Sequence, residues 1–241
     1  FIMRHADIHY DRYDKAPTKG KLDINHLAVS DFNLYAALPQ LTDNTLELAV
    51  RELSFKEQSG IDIRRLAFHF RADRRKAVLS DFTLEMPASK LLIPSLTASY
   101  RHDGKNIIAA TVKFDGTIEQ SFVTPADMAF ILPSLHTFHD KLFIASSFSG
   151  TGTSVNIGSF VVNSPSGDIN IDTKGWYKKQ GARGLWYADV KHLGVSSKTI
   201  EFLSENLKGE KTEVPDVLRR LGNIDFNGNA AATRDGAITA R

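Results

Sequence analysis

The feature that most constrains this chain is an alternation of apolar and polar residues with period two, repeated in segment after segment. Ile108, Ala110, Val112, Phe114, Ile118 and Phe122 fall on one face of a strand-like run, interrupted near Asp115-Gly116. Leu46, Leu48 and Val50 alternate, as do Phe82, Leu84 and Met86, then Leu142 and Ile144, then Ile169 and Ile171. Successive side chains of a strand point to opposite faces, so such runs set one face against apolar material and the other in water. Turn signals separate them at Ser59-Gly60, Asp103-Gly104, Asp115-Gly116, Ser166-Gly167-Asp168 and Asp235-Gly236. A spacing of roughly ten residues per strand and turn belongs to sandwiches, barrels and β-solenoids.

Three short helices are expected to interrupt the strands. Thr124 can cap one that opens with Pro125, carries Met128, Ile131 and Leu132 on one face, and stops at Pro133. Ser196 or Ser197 can cap a second, with Ile200, Leu203 and Leu207 as its stripe until Gly209. The third opens at Pro215, runs through Val217, Leu218 and Leu221, and ends at Gly222. Each is too short to stand alone and must dock on sheet.

The sequence also repeats itself at an offset of 94 residues. Val29 falls on Val123, Leu38 on Leu132, Pro39 on Pro133, Leu41 on Leu135, Leu48 on Leu142 and Val50 on Ile144. The quartet Ile61, Ile63, Leu66, Phe68 falls on Val155, Ile157, Phe160, Val162. Two residues instead of one separate the second and third members of each quartet. That change of phase is what a β-bulge produces, so both copies are expected to carry one at the same step. A third, partial copy starts near Val195. The expected division is a poorly ordered lead-in over 1–21, β modules over 22–122 and 123–194, and a truncated module over 195–241, with one continuous sheet as the alternative. The chain starts at Phe1 and stops at Arg241 straight after a strand-like stretch, which reads as a piece of a longer protein.

Composition narrows the chemistry. Thirty basic side chains stand against 28 acidic ones, a net charge of +2, which supplies no reason to expect nucleic acid. There is no cysteine, so disulfides, thiolate metal sites and cysteine nucleophiles are excluded. No apolar run approaches the ~20 residues that span a bilayer, and the amino end does not resemble a signal peptide. His136 and His139 stand three apart beside Asp140, and His5 and His9 four apart, but neither pair has an obvious third metal ligand. Gly150-Thr151-Gly152-Thr153-Ser154 lacks the third glycine of a dinucleotide fingerprint and reads as a hairpin turn. Ser147-Phe148-Ser149-Gly150 lacks the first glycine of a nucleophile elbow. Glu52, Glu57 and Asp62 can be weighed as a glycosidase carboxylate pair, but scattered acids read first as solvated strand faces. The basic set Arg64, Arg65, Arg71, Arg74, Arg75 and Lys76 reads as a solvated outer face, with lipid phosphate or nucleic acid as the other option. Trp176, Tyr177, Trp186 and Tyr187 read as a cross-strand aromatic cluster that holds register. No catalytic residue, cofactor or metal is expected.

Several segments resemble a known family. The stretch from Asn25 to Leu34, Asn-His-Leu-Ala-Val-Ser-Asp-Phe-Asn-Leu, is similar to a strand opening of the large TamB-like, AsmA-like proteins of the Gram-negative envelope. So are Leu53 to Leu66, Leu84 to Leu91 with its Pro-Ala-Ser turn, and Val214 to Gly228, with the Bacteroides lineage offering the nearest resemblance. The resemblance runs from about Leu22 to Arg241. It implies an inner-membrane helix at the amino end of the parent, a long curved β-sheet crossing the periplasm, and a terminal domain, missing from this chain, that meets an outer-membrane β-barrel assembly protein.

The expected fold is therefore all-β, an elongated, curved, antiparallel-rich sheet built from repeats, open as a groove or solenoid-like, with the three helices docked on it. The expected function is that of a periplasmic segment shielding acyl chains of phospholipid in an apolar groove, on the way to the outer membrane or during its assembly. The groove candidates are Ile108, Ala110, Val112, Phe114, Ile118 and Phe122. At ~0.8 kcal/mol per buried CH₂, a chain of about sixteen carbons gains on the order of 10 kcal/mol from full burial. The alternative is a sandwich or solenoid spacer that presents edges to partners in outer-membrane protein assembly.

Overall fold

The computed structural model describes residues 1–18, 22–104, 106–180, 183–200, 223–232 and 238–240. Its contacts divide the chain into two units, one of Phe1–Ser95 with Ser121–Lys141, the other of Leu96–Gln120 with Leu142–Arg241.

The first unit holds β1 (Ile2–Asp11), β2 (His26–Leu41), β3 (Thr45–Glu57), β4 (Asp62–Asp73), β5 (Lys76–Glu85) and the opening of β6 (Lys90–Ser99). Neighbours in sequence are neighbours in the sheet, and the pairs from β1 to β5 are antiparallel. The second unit holds the end of β6, a small hairpin of β7 (His102–Asp103) and β8 (Asn106–Ile107), and most of β9 (Lys113–Val123). It continues with β10 (Leu142–Thr151), β11 (Ser154–Asn163), β12 (Ile169–Gln180), β13 (Arg183–Ser196), β14 (Asn223–Ala232) and β15 (Ile238–Ala240), again meandering and antiparallel. In neither unit does the last strand pair back with the first, so neither sheet closes. No helix among the described residues is long and apolar enough to cross a membrane.

Two expectations need correction. Residues 1–21 are not a loose lead-in throughout, because residues 2–11 form strand β1 against β2. The amino-terminal ammonium donates to the Ala36 carbonyl at 2.7 Å and the Ala36 N–H donates back to Phe1 at 3.0 Å, so pairing begins at the first residue. Nor do the described residues show three docked helices. The segment after Thr124 makes two 3-10 turns, Pro125–Met128 and Pro133–Thr137, each opened by a proline that donates no hydrogen bond. Thr124 does not cap the first. Its hydroxyl donates to the Ala88 carbonyl at 2.8 Å, while the Asp127 carboxylate accepts from the Ala88 N–H at 2.9 Å. Of the second expected helix, residues 197–200 are helical, and Ser196 caps them by accepting from the Thr199 N–H at 3.2 Å. Its remainder and the whole of the third lie outside the described residues.

Every strand from β1 to β5 is bulged, as are β11 and β13, and apart from an extra residue at Leu38-Pro39 of β2 the bulges share one grammar. The register shifts place an extra residue at Arg4-His5 of β1, Ser30-Asp31 of β2, Arg51-Glu52 of β3, Arg64-Arg65 of β4 and Ser80-Asp81 of β5. In the second unit they fall at Gly158-Ser159 of β11 and Lys191-His192 of β13. Each is a doublet without an apolar residue, inserted between apolar residues that resume the same face. His5, Asp31 and Asp81 take left-handed backbone there, with φ of 50, 51 and 54°, as does Gln120 of β9 at 47°. Bulges bend a strand, and here both members of the doublet stand on the polar side, lengthening it relative to the apolar side.

The repeat holds where it matters for this grammar. Extra residues fall between Ile63 and Leu66 in β4 and between Ile157 and Phe160 in β11, the same step 94 residues apart. The pair Val50–Phe68 recurs as Ile144–Val162. It breaks at the connector, where Leu38, Pro39 and Leu41 lie in β2 but Leu132, Pro133 and Leu135 lie in or beside 3-10 turns.

The outer strand β1 is fastened to β2 by ion pairs. His5 Nδ1 meets Asp31 Oδ1 at 2.6 Å, and His26 Nδ1 meets Asp11 Oδ1 at 3.1 Å. The other His26 nitrogen lies 2.9 Å from the Lys15 carbonyl, so both ring nitrogens face acceptors and the doubly protonated ring fits best. The Asp11 contact accordingly raises the His26 pKa above its ordinary 6.5. A raised histidine stabilises the fold fully below the unfolded value, and that contribution is lost as pH rises through the folded one. Hydrogen exchange of the β1 amides, corrected for intrinsic rates, should therefore quicken relative to β3 between about pH 6 and 8. His26→Gln should remove the dependence; β1 protection that is flat across this window in the unaltered chain contradicts the assignment.

Candidate functional site: the apolar sheet face

Register turns the alternation into rows. Met3 pairs with Leu34, Leu34 with Leu53, Leu53 with Leu66 and Leu66 with Leu84, five apolar side chains in line across β1 to β5. At about 4.8 Å per strand the row is about 19 Å wide. Parallel to it run Leu48, Phe70 and Leu79, and the pair Val50–Phe68. Phe68 stacks with Phe82 at 6.4 Å between ring centroids, and Phe32 with Phe55 at 6.3 Å. The second unit carries its own row, Ile144, Val162, Ile171, Leu193 and Phe226 across β10 to β14.

The opposite face is polar. Ser30, Lys56 and Asp62 make one row, and Glu47 pairs with Arg71 and Arg65 with Glu85. In the second unit Lys174 lies 3.2 Å from Asp189 and Lys191 3.4 Å from Asp172. Arg64, Arg65, Arg71, Arg74, Arg75 and Lys76 are all exposed.

The apolar rows are not covered as a sandwich core would be. Among the described residues the only buried apolar side chains are Ala36, Val50, Ile61, Met86, Pro125, Val162 and Ile169. Leu34, Leu53, Leu66 and Leu84 are half-buried, and Met3 and Phe226 are 46% and 36% exposed.

The six groove candidates do not form one strand face. Ile108 precedes a 3-10 turn over Ala109–Thr111, Ala110 lies within it, and Val112 ends it. The Thr111 hydroxyl, accepting from the Arg101 N–H and donating to the Ile108 carbonyl, holds this turn where a strand was expected. Phe114, Ile118 and Phe122 do lie on β9, with Gln120 in left-handed backbone between the last two. The Lys141 ammonium sits 4.2 Å over the Phe122 ring. Asp115-Gly116 is not a turn either: Gly116 lies in β9, where the Phe148 ring and Leu96 occupy the space a side chain would fill. Phe114 covers Gly150 in the same way, and the two rings tilt together at 6.4 Å.

Other sequence candidates disperse. Glu52 pairs with Tyr35 and Asp62 with Lys56 on the polar side, whereas Glu57 follows Leu53 and Phe55 on the apolar side. The His136 ring lies 2.9 Å from the Pro133 carbonyl, and no group of three His, Cys, Asp or Glu among the described residues is placed to hold a metal. Gly152 and Thr153 make the two-residue turn between β10 and β11. The four aromatics split into register pairs on opposite faces: Trp176 stacks with Tyr187 at 6.5 Å, and Tyr177 stands opposite Trp186 with its ring over Gly184.

Sequence inspection passed over Glu57 as a site in its own right. It pairs with Val29 in the register that also joins Val29 to Ile8, and it is only 6% exposed. Oε2 accepts from the Ser59 N–H at 2.8 Å and from the Ser59 hydroxyl. Oε1 is buried and has no hydrogen-bond partner among the described residues. Continuing the alternation Leu53, Phe55, Glu57 would have flagged an acid on the apolar side.

No family model, curated protein or solved structure matches this chain.

The aromatic–glycine contacts can be tested. A Cβ at Gly150 would collide with the Ser154 carbonyl oxygen and lie 2.6 Å from the Phe114 ring. Gly150→Ala should cost about 1–3 kcal/mol in urea unfolding. Wild-type stability in that variant would show that Phe114 does not pack there.

Proposed function

We propose that this chain shields acyl chains of phospholipid along the apolar side of its sheet, as a segment of a periplasmic protein of the TamB-like kind. The observation that carries the reading is the set of cross-strand apolar rows that stay in phase through every bulge and remain half open. A closed core would bury such rows, whereas a conduit needs them accessible and unbroken, because each gap would become a barrier to a sliding chain. The doublets support it too, since lengthening the polar side puts the apolar side inside the bend. Membrane anchoring of the parent and a β-barrel assembly partner at the outer membrane come with the family resemblance and form part of the proposal.

Uptake of a fluorescent fatty acid by the purified chain tests it. Leu66→Asp, within the row from Met3 to Leu84, should weaken uptake by roughly tenfold or more, since an unpaired charge in an apolar trough is costly. Arg65→Asp, its neighbour on the polar side, should leave uptake within about twofold. Leu66→Ala, gentler on folding, should weaken uptake less than the charge does. A chain inert to every amphiphile, or a folded Leu66→Asp protein that binds normally, defeats the proposal.

A further inference from the structure

The unpartnered Glu57 oxygen carries a more specific reading, which rests on the proposed trough. We propose that Glu57 receives the primary ammonium of an aminophospholipid headgroup, making the trough selective for phosphatidylethanolamine over lipids that lack an N–H cation.

The argument starts from hydrogen-bond accounting. An ionised carboxylate has two oxygens, both needing donors when withdrawn from water. Ser59 satisfies Oε2 with its N–H and its hydroxyl, and nothing among the described residues satisfies Oε1. A buried acceptor left without a donor costs more than a typical hydrogen bond contributes. Water does not repair this, because Oε1 is closed to solvent in the ligand-free chain. The missing donor therefore has to arrive with whatever occupies the neighbouring apolar surface, moving the side chains that cover the atom.

The position selects the kind of donor. Glu57 ends the series Leu53, Phe55, Glu57 on the apolar side of β3 and lies in the row of Ile8 and Val29. It stands at the β3–β4 turn, where the Glu57 N–H donates to the Ile61 carbonyl at 2.8 Å and Gly60 takes φ of 103°. The carboxylate is thus held at the end of a line of apolar side chains. A molecule that lays an acyl chain along that line and ends in a charged donor meets both requirements. A primary ammonium supplies charge and three N–H groups, and charge-assisted bonds of this kind are the strong ones. A quaternary choline headgroup has the charge but no N–H, and a glycerol headgroup has donors but no positive charge.

The test incubates the full chain with vesicles of phosphatidylethanolamine, phosphatidylcholine or phosphatidylglycerol of matched fluorescent acyl chains, and measures lipid carried away by the protein. The unaltered chain should take phosphatidylethanolamine roughly tenfold better than the others, the yield of one charge-assisted bond. Glu57→Gln should bring the three lipids level, and Glu57→Asp should retain part of the preference. Equal uptake of the three by the unaltered chain, a comparison that needs no variant, overturns the inference and leaves the trough standing. Failure to take up any lipid or fatty acid defeats the trough itself. Glu57→Gln protein that is more stable and keeps the preference would mark Glu57 as a structural residue only. Binding of ethanolamine alone as tightly as the lipid would show a site independent of acyl chains, and either result overturns the proposal.

Discussion

Everything in this chain depends on keeping side-chain phase through a hydrogen-bonded register. A meander of strands has two sides, and apolar residues stay on one side only if every irregularity restores the alternation beyond it. The doublets do this: Met3 and Ala6 flank Arg4-His5, Val50 and Leu53 flank Arg51-Glu52, and Ile63 and Leu66 flank Arg64-Arg65. Two polar residues occupy the step where one would suffice, and the row on the other side continues. Bend and amphipathicity come from one device, which is why charged residues crowd the middles of strands and not only their turns.

Packing is concentrated at certain ends of the strands. In the first unit Ser89, Ser121 and Thr124 are buried polar residues. Each is bonded: the Ser121 hydroxyl accepts from the Leu92 N–H at 2.8 Å, the Ser89 hydroxyl accepts from the Thr124 N–H at 2.9 Å, and Thr124 donates to Ala88. Buried Asp23 accepts from the Thr18 and Asn25 N–H groups, which hold its carboxyl below its usual range. Against this satisfied background Glu57 Oε1 is the exception, and exceptions in well-bonded surroundings are where a binding partner is worth seeking. The strand middles, by contrast, contribute few buried side chains, so local hairpin pairing carries much of the order there.

The period-two runs made the all-β class and most hairpins legible in the sequence, because alternation and turn glycines at Gly60, Gly104 and Gly167 reflect local sterics. The shared bulge of β4 and β11 was legible as well, since four apolar residues bracketed each phase change. The other doublets were not, because a pair such as Ser80-Asp81 between apolar residues looks like an ordinary loop or a turn of helix. β1 was misread because His5, Asp7, His9 and Asp11 suggest a solvated tail, whereas its order comes from β2 and the pairs His5–Asp31 and His26–Asp11. The connector after Thr124 was misread as a helix because its apolar spacing fits one; two prolines and ties to Ala88 decide otherwise. As for the candidate site, the one-sided apolar pattern was legible, and its arrangement across strands was not. The apolar surface lies on rows assembled from many strands, and a single run such as Ile108 to Phe122 cannot display them.

The doublets also govern how such a chain can change length. Removing one residue from the middle of an ordinary strand sends every side chain beyond it to the wrong side, exchanging apolar for charged along half a row. Removing one member of a doublet does not: Met3 and Ala6, separated by a single residue, would still share a side, and only the bend would be lost. Single-residue deletions are therefore survivable at these steps and ruinous between them, and curvature is the property most readily shed. Lengthening by whole hairpins disturbs neither, so growth by duplication and decay by loss at the doublets are the two histories this architecture permits.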